Sequence, residues 1–286
     1  MRMNKFDYNE AFCRNIPLIS KGEQLKLKKA VVAVPGMGGM GGSIFLCLAR
    51  MGFENFHISD MDSFDVVNNN RQVGCMRSTD GKKKVDVMRD IILDINPNCK
   101  VKVFAKGISE ENIDEFLEGV DVVMDGMDYF NFDIRRLIHM RAYEKGIYVV
   151  GAGPIAFGSA FLVFSPDGMS FDKYFDIKDD MSYKEKIIAF SVGLVPSLLQ
   201  TKYVEVRKFD LKNKSGPSSS IAVNLGTGIA CFEAMNIILR RRKIYAAPYY
   251  GQFDVQLMQL KRGRVFLGNR NPIQRIKRWF IGKYLF

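Results

Sequence analysis

Cysteine pairs and histidines are scarce in this chain of 286 residues. None of the five cysteines forms a C-x-x-C pair, which excludes a disulfide framework and a cysteine-rich zinc module, so no zinc is expected. The two histidines, His57 in a predicted strand and His139 in a predicted helix, are not expected to act as general bases. The N-terminal sequence MRMNKFDYNE lacks the apolar core of a signal peptide, so we expect a cytoplasmic protein.

A long hydrophobic run is also missing, although 47% of the residues are hydrophobic. Residues 147–164 carry no charge over 18 positions, which is near the length of a membrane span. Three glycines and a proline interrupt this stretch. We therefore predict two buried strands joined by a Gly/Pro turn and no transmembrane helix there.

Acidic residues are nearly absent from the last fifty positions. Residues 237–286 contain 12 Lys and Arg and one acid, Asp254. The whole chain has 42 Lys and Arg and 31 Asp and Glu, so 30 residues of each sign remain in the rest of the chain. The whole surplus of +11 thus lies in a basic tail, Arg240 to Phe286. Such asymmetry favours an acidic partner, either a nucleic acid, an anionic membrane surface with peripheral attachment, or an acidic protein. A merely solubilising tail is the alternative.

The end of the tail, residues 271–286, has the pattern of a short amphipathic helix. Its apolar side would consist of Ile273, Ile276, Phe280 and Tyr284. Aromatic residues interleaved with Lys and Arg suit a membrane surface as well as RNA, and packing onto a partner subunit is a third alternative.

Apolar runs alternate with helical patterns over the first 165 residues. Strands are predicted at 30–35, 56–59, 100–105, 120–124, 147–150 and 160–164, with helices near 44–51, 82–95, 110–118 and 130–145. This alternation is typical of βαβ units and predicts an α/β fold with a doubly wound, Rossmann-like, mainly parallel sheet. We predict a nucleotide-binding core over residues 1–165. Residues 166–286 would elaborate the same domain, with helical segments near 183–206 and 221–241.

A glycine-rich loop, GMGGMG at residues 36–41, lies between the first predicted strand and the following helix. Its glycines are Gly36, Gly38, Gly39 and Gly41. They permit a tight turn and a close approach of backbone N–H groups to a phosphate at the positive end of the helix. Asp60 follows Gly41 by 19 residues, at the end of the next strand, where it would accept from ribose hydroxyls. The pattern predicts a nucleotide site but does not choose between NAD and ATP.

Further polar residues favour ATP. Asn70 and Arg71 lie in a loop, and Lys84 lies at a predicted helix start, where a cation opposes the helix dipole but fits an anion bound nearby. A solvated cluster of lysines is the alternative. Asp125 and Asp128 follow a strand at the carboxyl edge of the sheet, and a carboxylate there is a candidate Mg²⁺ ligand. A dinucleotide dehydrogenase needs none of these additions.

These motifs together resemble the ubiquitin-activating-type superfamily in its bacterial ThiF/MoeB/HesA form. The similarity runs from about residue 10 to 165 and rests on one set of motifs: Arg14, GMGGMG at 36–41, Asp60-Met61-Asp62, NNNRQ at 68–72, GKKKV at 81–85, INP at 95–97 and Asp128.

The resemblance implies an adenylyltransferase that uses ATP and Mg²⁺. Asp60 would hold the ribose, and Asp62 would lie beside it. Phosphates would be bound by Asn70, Arg71 and Lys84, and Mg²⁺ by Asp128. Arg14 would reach into the site of a second subunit, which implies a homodimer.

This sequence departs from the superfamily in its cysteines. Many relatives carry two zinc-binding C-x-x-C pairs and a transfer cysteine after the sheet, whereas here no cysteine occurs between Cys99 and Cys231. Cys75 is the only thiol near the proposed nucleotide. The resemblance therefore implies activation of a carboxylate or amide-type oxygen of a peptide, a carrier protein or a modified tRNA base, without a thioester. The alternatives are an NAD(P)-dependent oxidoreductase and a non-catalytic nucleotide-binding scaffold.

Overall fold

The structure, a computed structural model, describes residues 5–205 and 216–284. The parts of the predicted segments that fall on residues 1–4, 206–215 and 285–286 lie outside this description.

Eight strands of the described residues form one sheet, in the order β3-β2-β1-β4-β5-β6-β7-β8. The strands are β1 Val31–Pro35, β2 Asn55–Ser59, β3 Lys100–Phe104, β4 Val122–Asp125, β5 Tyr148–Ile155, β6 Gly158–Phe164, β7 Tyr249–Asp254 and β8 Gln259–Arg264. β3, β2, β1, β4 and β5 run parallel, whereas β6, β7 and β8 continue the sheet antiparallel. This confirms the predicted doubly wound, mainly parallel sheet.

Helices cover both faces of this sheet. They are α1 Tyr8–Ala11, α2 Lys21–Lys29, α3 Gly39–Arg50, α4 Lys84–Ile95, α5 Ile113–Phe116, α6 Phe132–Glu144, α7 Phe171–Phe175, α8 Tyr183–Leu194, α9 Ser220–Leu239 and α10 Pro272–Tyr284. One hydrophobic cluster packs α3, α4 and α9 against the sheet, and a second packs α6, α7 and α8 against the other face. The fold is therefore a three-layer α/β/α arrangement.

The strand order changes direction at β1, which lies between β2 and β4. The loops after β1 and β4 leave the carboxyl ends of adjacent parallel strands, and in open α/β sheets the crevice between such loops is the usual ligand site. The glycine loop follows β1, and Asp125 ends β4. The topology thus positions both predicted motifs at the same crevice.

Residues 147–164 form β5 and β6, which confirms two strands in place of a membrane helix. The turn lies at Ala156 and Phe157, with Ala156 at φ 54°, and not at Pro154, which belongs to β5. α9 is the one described helix long and apolar enough to cross a membrane, but 61% of its apolar window is buried within the fold, as in a core helix.

The basic tail contains two strands that the sequence pattern did not predict. β7 and β8 form a hairpin that extends the sheet beyond β6. β8 is an edge strand whose side chains are mostly exposed, so it lacks the apolar alternation that marks a half-buried strand. The amphipathic helix predicted at the end of the tail is present as α10, which packs against α8.

Candidate active site

The glycine loop is held by backbone contacts that leave no room for side chains. Gly36 has φ +89°, and its N–H donates to the Ser59 carbonyl at 2.6 Å. A Cβ at Gly41 would lie 1.7 Å from the Gly36 oxygen, and one at Gly36 would lie 2.6 Å from the Gly126 oxygen. Three backbone segments, from β1, α3 and the loop after β4, therefore meet at this point, which only glycine allows.

α3 begins at Gly39, and its N-cap Gly38 supplies no side chain to its first N–H groups. These N–H groups and the positive end of the helix dipole favour an anion. A Cβ at Gly38 would lie 3.7 Å from the Gln72 amide nitrogen, so the Gln72 side chain lies beside the N-cap. Gln72 is buried, and its Oε1 has no hydrogen-bond partner among the described residues. The loop thus presents donors and an acceptor without protein partners.

Asp60 fixes the shape of the loop. Its Oδ2 accepts from the Met37 backbone N–H at 2.7 Å, and its Oδ1 accepts from the Asp62 N–H at 2.8 Å. A carboxylate has about four lone-pair sites, so each oxygen retains a position for another donor such as a ribose hydroxyl.

Lys84 and Asp62 form an ion pair at the start of α4. Lys84 Nζ lies 3.1 Å from Asp62 Oδ2, and the lysine side chain is 8% exposed whereas the aspartate is 64% exposed. A cation in the first turn of a helix opposes the helix dipole. Asp62 offsets that cost, and two of the three ammonium protons of Lys84 stay available to a second anion.

Arg71 lies beside the glycine loop and contacts its neighbour Asn70. A Cβ at Gly39 would lie 3.4 Å from the Arg71 carbonyl and 3.7 Å from its Cγ. The Arg71 guanidinium donates to Asn70 Oδ1 and to the Val67 carbonyl, both at 2.9 Å, and forms no ion pair among the described residues. Arg71 is therefore positioned by neutral acceptors and keeps an uncompensated charge.

Asp125 and Asp128 have different environments although both follow β4. Asp125 Oδ2 accepts from Arg135 Nε at 2.8 Å and lies 3.2 Å from His139 Nε2. Burial alone would raise the pKa of the Asp125 carboxyl, but Arg135 and His139 outweigh it and hold that pKa well below its usual range. Asp128 is exposed, and its Oδ1 accepts only the Phe130 N–H, at 2.9 Å.

Asp128 is therefore the better metal ligand of the two carboxylates, since Asp125 is occupied by Arg135. No group of three His, Cys, Asp or Glu that would hold a metal ion occurs within residues 5–205 and 216–284. Mg²⁺ takes one or two carboxylates together with phosphate oxygens, and a single exposed carboxylate fits a metal bound with a nucleotide.

Arg14 does not join this group. It is exposed, and its neighbour Asn15 donates to the Met51 carbonyl at 3.3 Å, just beyond the C-terminal end of α3. The glycine loop lies at the other end of this 12-residue helix, about 18 Å away at 1.5 Å per residue. Among the predicted site residues, Arg14 is the one that the fold separates from the loop of its own chain.

The sequence model of the ThiF family matches residues 12–273. This chain belongs to the ThiF family. The resemblance read from its motifs is thereby confirmed, and the match extends well beyond residue 165.

Individual relatives agree with this ThiF-family assignment. The chain is 39% identical over 124 residues to a tRNA threonylcarbamoyladenosine dehydratase of Bacillus subtilis, covering 43% of this chain and 49% of the relative. It is 30% identical over 272 residues to a probable molybdopterin-synthase adenylyltransferase of Pyropia yezoensis, covering 90% and 70%. The chain thus spans about half the length of the first curated relatives it matches.

Solved structures share the fold of this ThiF-family chain. A crystal structure of PaaA superimposes with a TM-score of 0.68 at 21% identity, covering 93% of this chain and 78% of PaaA. Escherichia coli MccB crystallised with ATP gives a TM-score of 0.67 at 17% identity, covering 91% and 72%.

Cys75, the thiol that the sequence places near the proposed nucleotide, is not an activated nucleophile. Cys75 is buried and donates to Asn69 Oδ1 at 2.9 Å and to the Asp65 carbonyl at 3.3 Å. Burial, with Asp80 and Asp65 nearby, raises the pKa of the Cys75 thiol. A reactive cysteine has a lowered pKa and partial exposure, so this environment disfavours a thiolate.

Sequence reasoning did not assign roles to Gln72, Gly126 or Arg135. Arg135 donates to the Met127 and Asp128 carbonyls at 2.8 and 3.0 Å, so it holds the loop that presents Asp128. His139 is buried with a lowered pKa, chiefly through burial, and contacts Asp125. The sequence did contain a signal for this contact, since Arg135 and His139 are four residues apart and lie on one face of the predicted helix that follows Asp125.

Proposed function

We propose that this chain is a Mg²⁺/ATP-dependent adenylyltransferase that activates a carboxylate or an amide-type oxygen without a cysteine thioester step. One observation carries the proposal: contacts link the predicted residues to one glycine loop. Asp60 binds the Met37 N–H, Arg71 lies beside Gly39, and the loop that bears Asp128 touches Gly36 through Gly126.

ATP fits the groups around the loop. The uncapped N–H groups of α3 are suited to phosphate oxygens, and the free positions on Asp60 are suited to ribose hydroxyls. The unpartnered Oε1 of Gln72 lies beside the same N-cap and supports a polar ligand there.

The proposed reaction needs no proton-transfer residue. The substrate oxygen attacks the α-phosphorus, pyrophosphate leaves, and negative charge accumulates on the phosphate oxygens. Arg71, Lys84 and the N-terminus of α3 stabilise that charge. Asp128 would hold Mg²⁺, which supplies further positive charge at the phosphates when bound.

The acceptor of the activated group is proposed to attack the adenylate directly. No cysteine lies between Cys99 and Cys231, and the buried Cys75 thiol disfavours transfer. Relatives named as tRNA dehydratase and molybdopterin-synthase adenylyltransferase, together with MccB crystallised with MccA, support a tRNA, protein or peptide substrate.

A homodimer is proposed because Arg14 lies about the length of α3 from the loop of its own chain. An exposed arginine without an ion pair among the described residues is available to a neighbouring subunit, and in a symmetric dimer each Arg14 would reach the other site.

Two measurements test the proposed function against its rivals. ATP–pyrophosphate exchange is measured with a peptide bearing a free C-terminal carboxylate, a carrier protein or a tRNA, with Mg²⁺ present. We expect exchange with one substrate class and its loss on addition of EDTA. A substrate-dependent absorbance change of NAD(P)H would instead favour the oxidoreductase. ATP binding that survives Asp128→Ala, without exchange under any condition, would favour the scaffold.

A further inference from the structure

The hairpin of β7 and β8 presents cations and aromatic rings on one face at the edge of the sheet. Tyr249 pairs with Arg264 and Gly251 pairs with Arg262 across the two antiparallel strands. Directly opposed residues point to the same face of a sheet, so both arginines share the face of Tyr249. Lys243 and Tyr245 precede the hairpin, and Phe266 follows it.

These six residues, called the hairpin patch, are arranged as cations over rings. The Arg262 guanidinium lies 5.1 Å from the ring centroid of Tyr245, and Lys243 Nζ lies 5.8 Å from the same ring. The Arg264 guanidinium lies 5.5 Å from the Tyr249 ring and 5.9 Å from the Phe266 ring. The rings are exposed to solvent, by 43% for Tyr245, 36% for Tyr249 and 61% for Phe266.

The charge of the hairpin patch is not neutralised. Within the described residues, Lys243, Arg262 and Arg264 form no ion pair. Other basic residues of the same region do, because Arg241 pairs with Glu23 and Arg278 with Asp176. The single acid of the tail, Asp254, is fully buried and accepts from the Tyr203 hydroxyl at 2.7 Å. The patch therefore presents three uncompensated positive charges.

We infer that the hairpin patch binds a single-stranded nucleic acid. Unpaired bases stack on aromatic rings and on guanidinium planes, while phosphates pair with the cations, and this patch supplies both at adjacent positions. An acidic polypeptide would use the cations but gain little from the rings. A membrane surface also takes aromatic residues among cations, but insertion needs rings that are free to enter the lipid, whereas the rings of the hairpin patch lie against guanidinium and ammonium groups.

The hairpin patch and the glycine loop lie at different places on the sheet. β8 is five strands from β1, which is about 24 Å at 4.8 Å per strand. Tyr249 and Arg264 also lie at the end of the hairpin opposite to Asp254, which pairs with Gly158 at the carboxyl edge. A ligand that contacts both places must be extended. The inference deepens the proposed function, and rests on it, by selecting a nucleic acid among the candidate substrates.

Fluorescence anisotropy of the full chain with a fluorescein-labelled 12-nucleotide single-stranded RNA, and with DNA of the same sequence, tests the patch. The variants are Arg262→Gln/Arg264→Gln and Tyr245→Leu. The control is Lys100→Gln/Lys106→Gln at the far edge of the sheet, where both lysines are exposed. All variants alter exposed side chains, and an unchanged melting temperature verifies folding.

We expect the double arginine variant to bind at least about 10-fold more weakly and to lose about 1.4 from the slope of log K against log salt. Tyr245→Leu should bind about 5- to 10-fold more weakly with the slope unchanged, because it removes stacking and no charge. The lysine control should stay within about 2-fold of wild type. Tighter binding of RNA than of DNA would show that the ribose contributes to recognition. Equal binding of the two would show that bases and phosphates suffice. Both outcomes support nucleic-acid binding at the hairpin patch.

Three results would overturn the inference. The first is equal weakening of binding by the patch and control variants. The second is binding of poly-glutamate as tight as that of RNA, with no change of affinity in Tyr245→Leu. The third is binding to phosphatidylserine vesicles without binding to either oligonucleotide. A failure of the proposed function is distinguishable. Nucleic-acid binding that maps to the patch, with no ATP–pyrophosphate exchange for any substrate class, would reject the adenylyltransferase and leave the binding surface supported.

Discussion

Asp125 and Asp128 are three residues apart, yet only Asp128 keeps a carboxylate oxygen without a partner among the described residues. Arg135, 4% exposed, pairs with Asp125 and also donates to the carbonyls on either side of the Asp128 Cα. The buried Arg135 is held by the charge of Asp125, and through its hydrogen bonds to the backbone it fixes the position of Asp128. Its loss would act on Asp128 indirectly, as a change of position.

Asp125→Asn should lower the free energy of unfolding by about 3–5 kcal/mol at pH 7, because it leaves the buried Arg135 without its counter-charge. The depressed pKa of Asp125 means that the pair stabilises the fold above the ordinary carboxyl pKa of about 3.9 and loses this effect as the pH falls through the folded-state pKa. Urea unfolding followed by circular dichroism should give a constant difference between pH 7 and 5 that shrinks below about pH 4.

The matched control for this prediction is Asp90→Asn. Asp90 is 68% exposed and pairs with Arg89 on the surface of α4, so the change should cost less than about 1 kcal/mol. Equal effects of the two variants would contradict the buried pair.

Lys84→Ala and Arg71→Ala should each slow ATP–pyrophosphate exchange, because each removes a cation from the phosphates. The expected loss of transition-state stabilisation is about 2–4 kcal/mol for each variant. Lys82→Ala, an exposed lysine two residues before Lys84, is the control and should leave exchange unchanged. Near-wild-type exchange in both site variants would reject these residues as phosphate ligands.

At the scale of elements, β1, the glycine loop and α3 form one unit whose geometry depends on the absence of Cβ atoms. Gly41→Ala places a methyl group 1.7 Å from the Gly36 oxygen, so the backbone must shift. We expect a loss of about 1–3 kcal/mol of stability and weaker ATP binding, measured by thermal melting and isothermal titration calorimetry.

Gly22→Ala is the control for this element. Gly22 lies exposed in α2, and an added Cβ would have no neighbour within 4 Å. Alanine is the better helix former, so the control should be neutral or stabilising by up to about 1 kcal/mol. Unchanged ATP binding in Gly41→Ala would show that the loop does not contact the nucleotide.

At the scale of the whole molecule, Arg14 predicts shared active sites. Arg14→Ala and Lys84→Ala homodimers should each be nearly inactive in exchange. A heterodimer of the two variants, purified with two affinity tags, keeps one complete site and should recover about half of the wild-type activity. Absence of recovery, or a chain that sediments as a monomer, would contradict the proposed dimer.

The reciprocal heterodimer distinguishes the two possible arrangements of Arg14. A wild-type chain paired with an Arg14→Ala/Lys84→Ala chain has no complete site if Arg14 acts across the interface. It has one complete site if Arg14 serves its own chain. We expect little activity.

A cytoplasmic location and peripheral membrane attachment through the tail stay predictions.

The sequence by itself determined the alternating core and the positions of its motifs. Buried parallel strands such as β1 and β4 have apolar sequences, and the glycines of residues 36–41 mark a place where backbone segments meet. The family resemblance followed from these motifs at their spacing, and it assigned the glycine loop, Asp60 and Lys84 to a nucleotide site as predictions.

Only the tertiary structure decided what depends on partners distant in sequence. An edge strand with exposed side chains leaves no periodic signal, which is why β8 and the hairpin patch were not predicted. The different environments of Asp125 and Asp128 depend on where Arg135 points, and the separation of Arg14 from its own loop depends on the length and direction of α3. Local patterns encode burial, whereas ion pairs and distances arise only when the chain is folded.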